Sequence, residues 1–407
     1  MANGYTGKIL YINLSTQNIL IEELGDIFYR TYMGGPGIGL YYLLKNMAVG
    51  VDPLGPDNLL IFAPGLLTGS LFPCMPRYTV CAKLPITGTF GKSVAGGWWG
   101  TELKAAGFDA IVLRGRADKP VYLWIHDGEV EIKDARSLWG LETGLVAEAI
   151  KSELGIKQVR IAQIGPAVEK LVPYTCIANK LSYFSGRNGI GVVMGSKNLK
   201  AIAAYGTGKV EVADSERLKN YKDAGTLPSC NWNHAQHDPL FVPDNTISLS
   251  TAAPLGILQG SMATDFLWEK VRLILYTNFL DFACEALGVC VFGYVARGIP
   301  VKKLIETTET VTGWETSFWE LMKVGERLNS MAQFFNCNEG FGSQHDMLPS
   351  RFYEPLLSGS SRGELGISDN TFREAANLYS EMAGWDTQGI PKKGKLLELG
   401  LNWLISE

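Results

Sequence analysis

Residues 121–132 read Val-Tyr-Leu-Trp-Ile-His-Asp-Gly-Glu-Val-Glu-Ile. Two runs rich in β-branched and aromatic residues flank His126-Asp127-Gly128, and an Asp-Gly pair tolerates the positive φ of a tight turn. The stretch predicts a hairpin with strands at Val121–Ile125 and Glu129–Ile132. Working outward, Lys8–Asn13 and Asn18–Glu23 form a second hairpin around Ser15-Thr16-Gln17. Further strands are expected at Asn58–Phe62, Tyr78–Lys83, Ala110–Arg114, Val159–Gln163 and Ala201–Tyr205, with helices at Gly37–Asn46 and Thr143–Glu153. Strands outnumber helices before residue 210, and the hairpins predict mostly antiparallel pairing rather than a doubly wound sheet.

Beyond Asp214 apolar residues recur every three or four positions, which predicts helices. They are placed at Thr264–Leu287, Val301–Thr310, Ser317–Gln333, Asn370–Ala383 and Lys392–Leu404. Thr226–Ala253 mixes Pro, Asn, His and Asp without periodicity. The expected fold class is α+β. A β-sheet-rich domain spans 1–210, an irregular seam 211–263, and a mainly α-helical domain 264–407.

The 407 residues carry 37 basic and 41 acidic side chains, and 46 % are hydrophobic. That balance gives no electrostatic reason for a nucleic-acid partner. No apolar run reaches the roughly 18 residues of a membrane helix, and the opening residues have no apolar signal region, so neither membrane nor secretion is expected. Seven scattered cysteines make a poor disulfide framework and suit a reducing, cytoplasmic compartment. His126 and His345 read as surface residues.

Three glycine clusters stand out: Gly34-Gly35-Pro36-Gly37-Ile38-Gly39, Gly96-Gly97-Trp98-Trp99-Gly100 and Gly186-Arg187-Asn188-Gly189-Ile190-Gly191. Such density lets backbone amides approach a phosphate without an intervening Cβ. It serves turns and close strand crossings equally well. With Pro36 inside it and no good strand before it, the first cluster is a poor dinucleotide fingerprint.

Read together, these segments resemble the aldehyde ferredoxin oxidoreductase family of tungsten-pterin enzymes. The resemblance runs in register from Gly7-Lys8-Ile9-Leu10-Tyr11-Ile12-Asn13 through Val51-Asp52-Pro53-Leu54-Gly55-Pro56-Asp57-Asn58 and Ala63-Pro64-Gly65-Leu66-Leu67-Thr68-Gly69. It continues through Glu102-Leu103-Lys104-Ala105-Ala106-Gly107-Phe108-Asp109-Ala110 to Met194-Gly195-Ser196-Lys197-Asn198-Leu199-Lys200. In the second half it resumes at Phe335-Asn336-Cys337-Asn338-Glu339-Gly340, Asp346-Met347-Leu348-Pro349-Ser350-Arg351 and Gly384-Trp385-Asp386-Thr387-Gln388-Gly389. Near Trp232–His234 a central block of the family pattern is missing.

The resemblance implies a tungsten (or molybdenum) bis-pterin, a 4Fe–4S iron–sulfur cluster and Mg2+. It implies pterin contacts from Arg77, from Val94-Ala95-Gly96-Gly97, from Tyr183-Phe184 with Gly186-Arg187, and from Glu285, Gly288 and Val289. Val94 stands where Asn is usual, Tyr183-Phe184 where Arg-Ala is usual, and Glu285 where Asp is usual. Cys290 matches the fourth cluster thiolate, whereas the run supplying the other three belongs to the missing block. His237 lies where the active-site histidine region resumes. The implied activity is oxidation of an aldehyde to a carboxylic acid, with electrons passing to ferredoxin or another electron-transfer subunit in a homo- or hetero-oligomer. Two alternatives stand beside it. One is the tungsten subunit of a benzoyl-CoA reductase-like enzyme with an aromatic acyl substrate, and the other is a truncated, cofactor-free structural or binding paralogue.

Overall fold

The computed structural model describes residues 3–70, 72, 74–223, 252–258, 267–290, 301–355, 357–359, 362–363 and 367–405. The chain divides into two compact units. The first takes in Met1–Leu227, Ala283–Val291 and Lys302–Ser317; the second takes in Pro228–Phe282, Phe292–Val301 and Phe318–Glu407. Two stretches of the carboxyl-terminal half thus group with the amino-terminal unit. Most of the irregular 226–253 segment, with His234 and His237, lies outside the described residues.

Two six-stranded sheets form the frame of the first unit. One holds β1 (Lys8–Asn13), β2 (Asn18–Glu23), β3 (Leu60–Pro64), β4 (Tyr78–Lys83), β5 (Phe90–Ala95) and β6 (Ala110–Arg114), in the order β2-β1-β6-β3-β4-β5. The other holds β7 (Val121–His126), β8 (Glu129–Asp134), β9 (Arg160–Gln163), β10 (Ile177–Asn179), β11 (Tyr183–Ser185) and β12 (Leu199–Tyr205), in the order β11-β10-β9-β12-β7-β8. Pairing is antiparallel except for β1 with β6 and β7 with β12. Both expected hairpins form. Asp127 and Gly128 take φ values of 42° and 87° at the tip of one, and Gln17 takes 60° in the other.

Helices α1 (Asp26–Tyr32), α2 (Pro36–Asn46), α3 (Trp99–Ala105), α4 (Thr143–Leu154), α5 (Pro166–Glu169), α6 (Ile190–Ser196) and α7 (Ser215–Asp223) complete this unit. The two-residue period of a strand decides which side chains meet which layer. Leu123 and Ile125 of β7, with Ile202 and Ala204 of β12, join the large core shared by the sheets, α3 and α6. Their alternates Tyr122, Trp124, Ala201 and Ala203 pack instead with Val146 and Ile150 of α4. Strands covered on both faces read as unbroken apolar runs. The first glycine cluster opens α2, which rests on β3 and β4. A Cβ on Gly39 would lie 2.5 Å from Cys81 Sγ, so the cluster serves close helix–sheet approach.

Three buried lysines tie this unit together. Lys197 Nζ donates to the carbonyls of Asn58 at 2.6 Å and Gly115 at 3.1 Å. Lys104 Nζ donates to the carbonyls of Gly4 and Leu66, each at 2.7 Å. Lys200 pairs with Glu169 and donates to Leu141 O at 3.0 Å. Burial pushes Lys197 down to about 7 and Lys104 down to about 8. Because these folded-state values lie below the ordinary lysine range, the fold binds fewer protons than the unfolded chain. Stability should therefore rise by roughly 1–2 kcal/mol between about pH 7 and 8.5. Above that window the Cys81 thiol, pushed up by burial, works in the opposite direction. Urea unfolding across the window checks this, and a flat or falling midpoint contradicts it.

In the later part, α8 is Trp268–Leu287, α9 Val301–Thr312, α10 Phe318–Asn338, α11 Asp369–Met382 and α12 Lys393–Glu398. Helix α10 buries Leu321, Val324, Leu328, Met331 and Phe335 along one face, the spacing that predicted it. Ser368 caps α11, its Oγ accepting from Thr371 N at 3.0 Å. The helix expected over Lys392–Leu404 stops at Glu398, since Gly400 takes φ 69° and a short 3-10 turn follows at Asn402–Leu404. Among the described residues, no helix is long and apolar enough to cross a membrane.

Candidate functional site

Gly96 and Gly97 follow β5, the edge of one sheet, while Tyr183 opens β11, the edge of the other. The two edges meet. A Cβ on Gly97 would lie 2.5 Å from Asn179 Oδ1 and 2.9 Å from a Tyr183 ring carbon, and Gly97 takes φ 89°. Only glycine suits both demands. Asn179 Nδ2 fixes the corner by donating to Gly96 O at 3.1 Å and to Tyr78 Oη at 3.0 Å. Arg77, just before β4, reaches the same place, since a Cβ on Gly96 would lie 3.2 Å from its Nη1.

The end of α8 and the residues after it are laid against this corner. Leu66 N donates to Ala286 O and Leu67 N to Leu287 O, each at 2.9 Å. Arg77 N donates to Gly288 O at 3.2 Å, and Cys290 N donates to Cys74 O at 2.8 Å. Gly65 permits this approach because a Cβ there would lie 2.1 Å from Gly288 Cα. The result sets Cys290 Sγ 2.8 Å from Arg77 Nη2, which donates to it. Glu285 pairs with Lys92 of β5.

The structure therefore brings Arg77, Gly96, Gly97, Tyr183, Glu285, Gly288, Val289 and Cys290 into one region. Ala95 is buried in β5, whereas Val94 is half-buried opposite Thr79. Phe184, alternate to Tyr183 along β11, is 50 % exposed. Gly186 and the Arg187 side chain are exposed, although Arg187 N donates to Ser93 Oγ at 3.1 Å. His237 is outside the described residues. Lys92 and Asn179 belong to the corner, and no spacing or residue pattern marks them in the sequence. His126 departs from the surface reading: its ring stacks on Trp124, and its side chain is only 25 % exposed.

The donor chemistry separates the cofactors. Arg77 and Lys92 against Glu285 leave one net positive charge beside glycine backbone, which fits an anionic, phosphate-bearing group such as a pterin. The described residues offer no ligand set for the iron–sulfur cluster. Among the described residues no group of three His, Cys, Asp or Glu side chains could hold a metal ion, and a four-iron cluster needs four ligands. Cys290 N donates to Cys74 O, while Cys81 and Cys284 are buried. Nor do the described residues include a group of three such side chains for Mg2+.

Comparison with known proteins adds an independent line. Residues 9–206 match the family model "Aldehyde ferredoxin oxidoreductase, N-terminal domain", and residues 231–401 match "Aldehyde ferredoxin oxidoreductase, domains 2 & 3". The tungsten-containing aldehyde ferredoxin oxidoreductase of Pyrococcus abyssi is 49 % identical over 215 residues, 53 % of this chain and 35 % of that protein. The WOR-like subunit of the aliphatic sulfonate oxidoreductase of Pyrococcus furiosus is 39 % identical over 232 residues, 53 % of this chain and 37 % of that protein. The aligned part thus spans little more than a third of these relatives. A solved chain from the active-site complex BamBC of benzoyl coenzyme A reductase, in complex with 1,5-dienoyl-CoA, superposes with a TM-score of 0.79 at 19 % identity. The match covers 99 % of this chain and 98 % of that one. At that identity the likeness is one of fold.

Proposed function

Because the chain belongs to the aldehyde ferredoxin oxidoreductase family, we propose that it serves the oxidation of an aldehyde to a carboxylic acid. Aldehyde and water give acid, two protons and two electrons, and the electrons leave toward ferredoxin or an electron-transfer subunit. The observation that carries this reading is the meeting of Arg77, Gly96-Gly97 and Gly288–Cys290 at one corner of the first unit. A tungsten-pterin group bound there would supply the two-electron chemistry.

The chain's own residues have simpler tasks. Arg77 binds phosphate through its guanidinium fork, which suits bidentate contacts. Asn179 holds the Gly96 carbonyl in place. Lys92 and Glu285 pin the end of α8 to β5. His237 is the candidate for orienting the substrate carbonyl or moving a proton.

The missing thiolate set favours a second reading, a pterin-binding or structural paralogue that holds no cluster by itself. Metal analysis of anaerobically purified protein separates the two. Near-stoichiometric tungsten with about four iron atoms per chain supports the enzyme. Tungsten without iron leaves a working cradle and no electron exit; neither metal leaves the structural paralogue. Arg77→Ala should lower tungsten and pterin content at least about tenfold, the worth of a lost charge-assisted contact, with the circular dichroism spectrum retained. Unchanged pterin content sinks the phosphate-binding role.

A further inference from the structure

A cavity of about 530 Å³ opens in the second unit between α8, α10 and α11, and its described lining residues all belong to that unit. Clefts of roughly 300–1,000 Å³ hold ligands of drug size, so the space takes a fused-ring molecule with a substituent. Its walls are mostly apolar, with Val271 and Ile274 of α8, Phe372 and Ala376 of α11, and the buried Trp385 ring. The Tyr379 ring stands edge-on to Trp385 at 5.6 Å.

Three polar groups in this apolar setting have a defined direction. Asn329 and Gln333 lie one turn apart on α10 and so share a face. Asn329 Nδ2 donates to Tyr379 Oη at 3.3 Å, while Gln333 Nε2 donates to Gly389 O at 3.0 Å and Cys337 Sγ at 3.5 Å. These bonds orient the amides and leave both oxygens as acceptors. Neither oxygen has a partner among the described residues, and neither is sealed from water; the indole nitrogen of Trp385, by contrast, is sealed and takes no part. Tyr379 Oη also accepts from Asn278 Nδ2 at 3.0 Å, so its own hydrogen is left to donate.

The matching occupant is flat, carries a group with two donor hydrogens, and has an acceptor beside that group in the ring plane. An aromatic amine next to a ring nitrogen has this pattern. Its amino hydrogens diverge at about 120° and reach oxygens roughly 5 Å apart, the spacing of neighbours at i and i+4. Lys270 and Asp346 put one charge of each sign in the lining, so no excess positive charge calls for a phosphate. The Asp346 carboxylate, at the exposed mouth, is an acceptor of the kind that holds a ribose hydroxyl.

We infer that this cavity binds an adenine nucleoside, its amino group donating to Asn329 Oδ1 and Gln333 Oε1 and a ring nitrogen accepting from Tyr379 Oη. This inference goes beyond the aldehyde reading, since it requires neither tungsten nor pterin.

Calorimetric titration of the full chain with adenosine tests it, with inosine as the analogue whose oxo group replaces the amino group. One adenosine should bind per chain. Inosine should bind at least about tenfold more weakly, because its carbonyl would face two acceptors. Adenosine monophosphate should gain nothing over adenosine. Gln333→Met should weaken adenosine about tenfold, and Ala376→Phe, which fills the cavity, should abolish binding. Asn377→Leu, at an exposed position of the same helix, should bind as wild type. If Gln333→Met fails to fold, Ala376→Phe carries the test. Absence of saturable binding, equal affinity for inosine, a marked preference for the monophosphate, or undiminished binding in Ala376→Phe overturns the proposal.

Discussion

Replacing Asp109 by Ala should destabilise the first unit by about 3–5 kcal/mol, the range for stripping one partner from a buried, hydrogen-bonded ion pair. The carboxylate accepts from Thr6 N and Gly7 N, each at 2.8 Å, and from Thr6 Oγ1 and Tyr29 Oη, each at 2.9 Å. Lys104 Nζ stands 3.8 Å away with its side chain 1 % exposed. Removing the carboxylate orphans all these donors and leaves a buried cation without its counter-charge. For a unit of this size the midpoint of thermal unfolding should fall by about 10 °C. Asp109→Asn keeps some acceptor capacity and should fall between wild type and Asp109→Ala. A shift below about 1 kcal/mol would show that the carboxylate is not the hub its contacts describe.

A larger local effect is expected from Gly65→Ala. The added methyl would meet Gly288 Cα and N at 2.1 Å and Leu287 C at 2.5 Å, all backbone atoms that no rotamer change can move. Residues 286–288 would have to lift, breaking the bonds from Leu66 N, Leu67 N and Arg77 N. At about 1 kcal/mol for each, some hundredfold of local protection is lost. Hydrogen exchange at the Leu66 and Leu67 amides should quicken by that factor while exchange in β7 and β12 stays slow. Tungsten content should fall with it. Unaltered exchange at those amides would mean that the close approach is not what holds Cys290 beside Arg77.

Legibility followed locality. Ala110–Arg114 could be bounded from residue type alone, because a strand buried on both faces reads as an apolar run, and Tyr78–Lys83 from its aromatic and β-branched residues. Asp127-Gly128 gave one turn through its backbone preference. Phe90–Ala95 escaped because Gly91, Lys92 and Ser93 have poor strand propensity. It forms because β4 needs a partner along its outer edge, from Tyr78 opposite Ala95 to Lys83 opposite Phe90. The parallel pairings were hidden for a similar reason, since they join segments about a hundred residues apart in β1 with β6. At the corner, Gly96 and Gly97 stood out by glycine density, whereas Arg77 and Gly288 were visible only through family resemblance. Lys92 and Asn179 were visible by neither route, because their roles depend on which strand edges meet. Lys104, Asp109 and Lys197 stood inside quoted motifs, yet nothing local told that they are buried struts.

The placement of β1 between β2 and β6 bears on how the protein is made. Residues 8–23 leave the ribosome as a hairpin about ninety residues before the end of the strand that covers their other edge, at Arg114. At translation speeds of about 5–20 residues per second, that edge stays unpaired for on the order of ten seconds. Asp109 and Lys104, which anchor the first residues, arrive in the same late stretch. A nascent chain with an open hairpin edge is a template for pairing with its neighbours on a polysome. Yield in a foreign host should therefore depend on chaperone supply and growth temperature more than on the final stability of the fold.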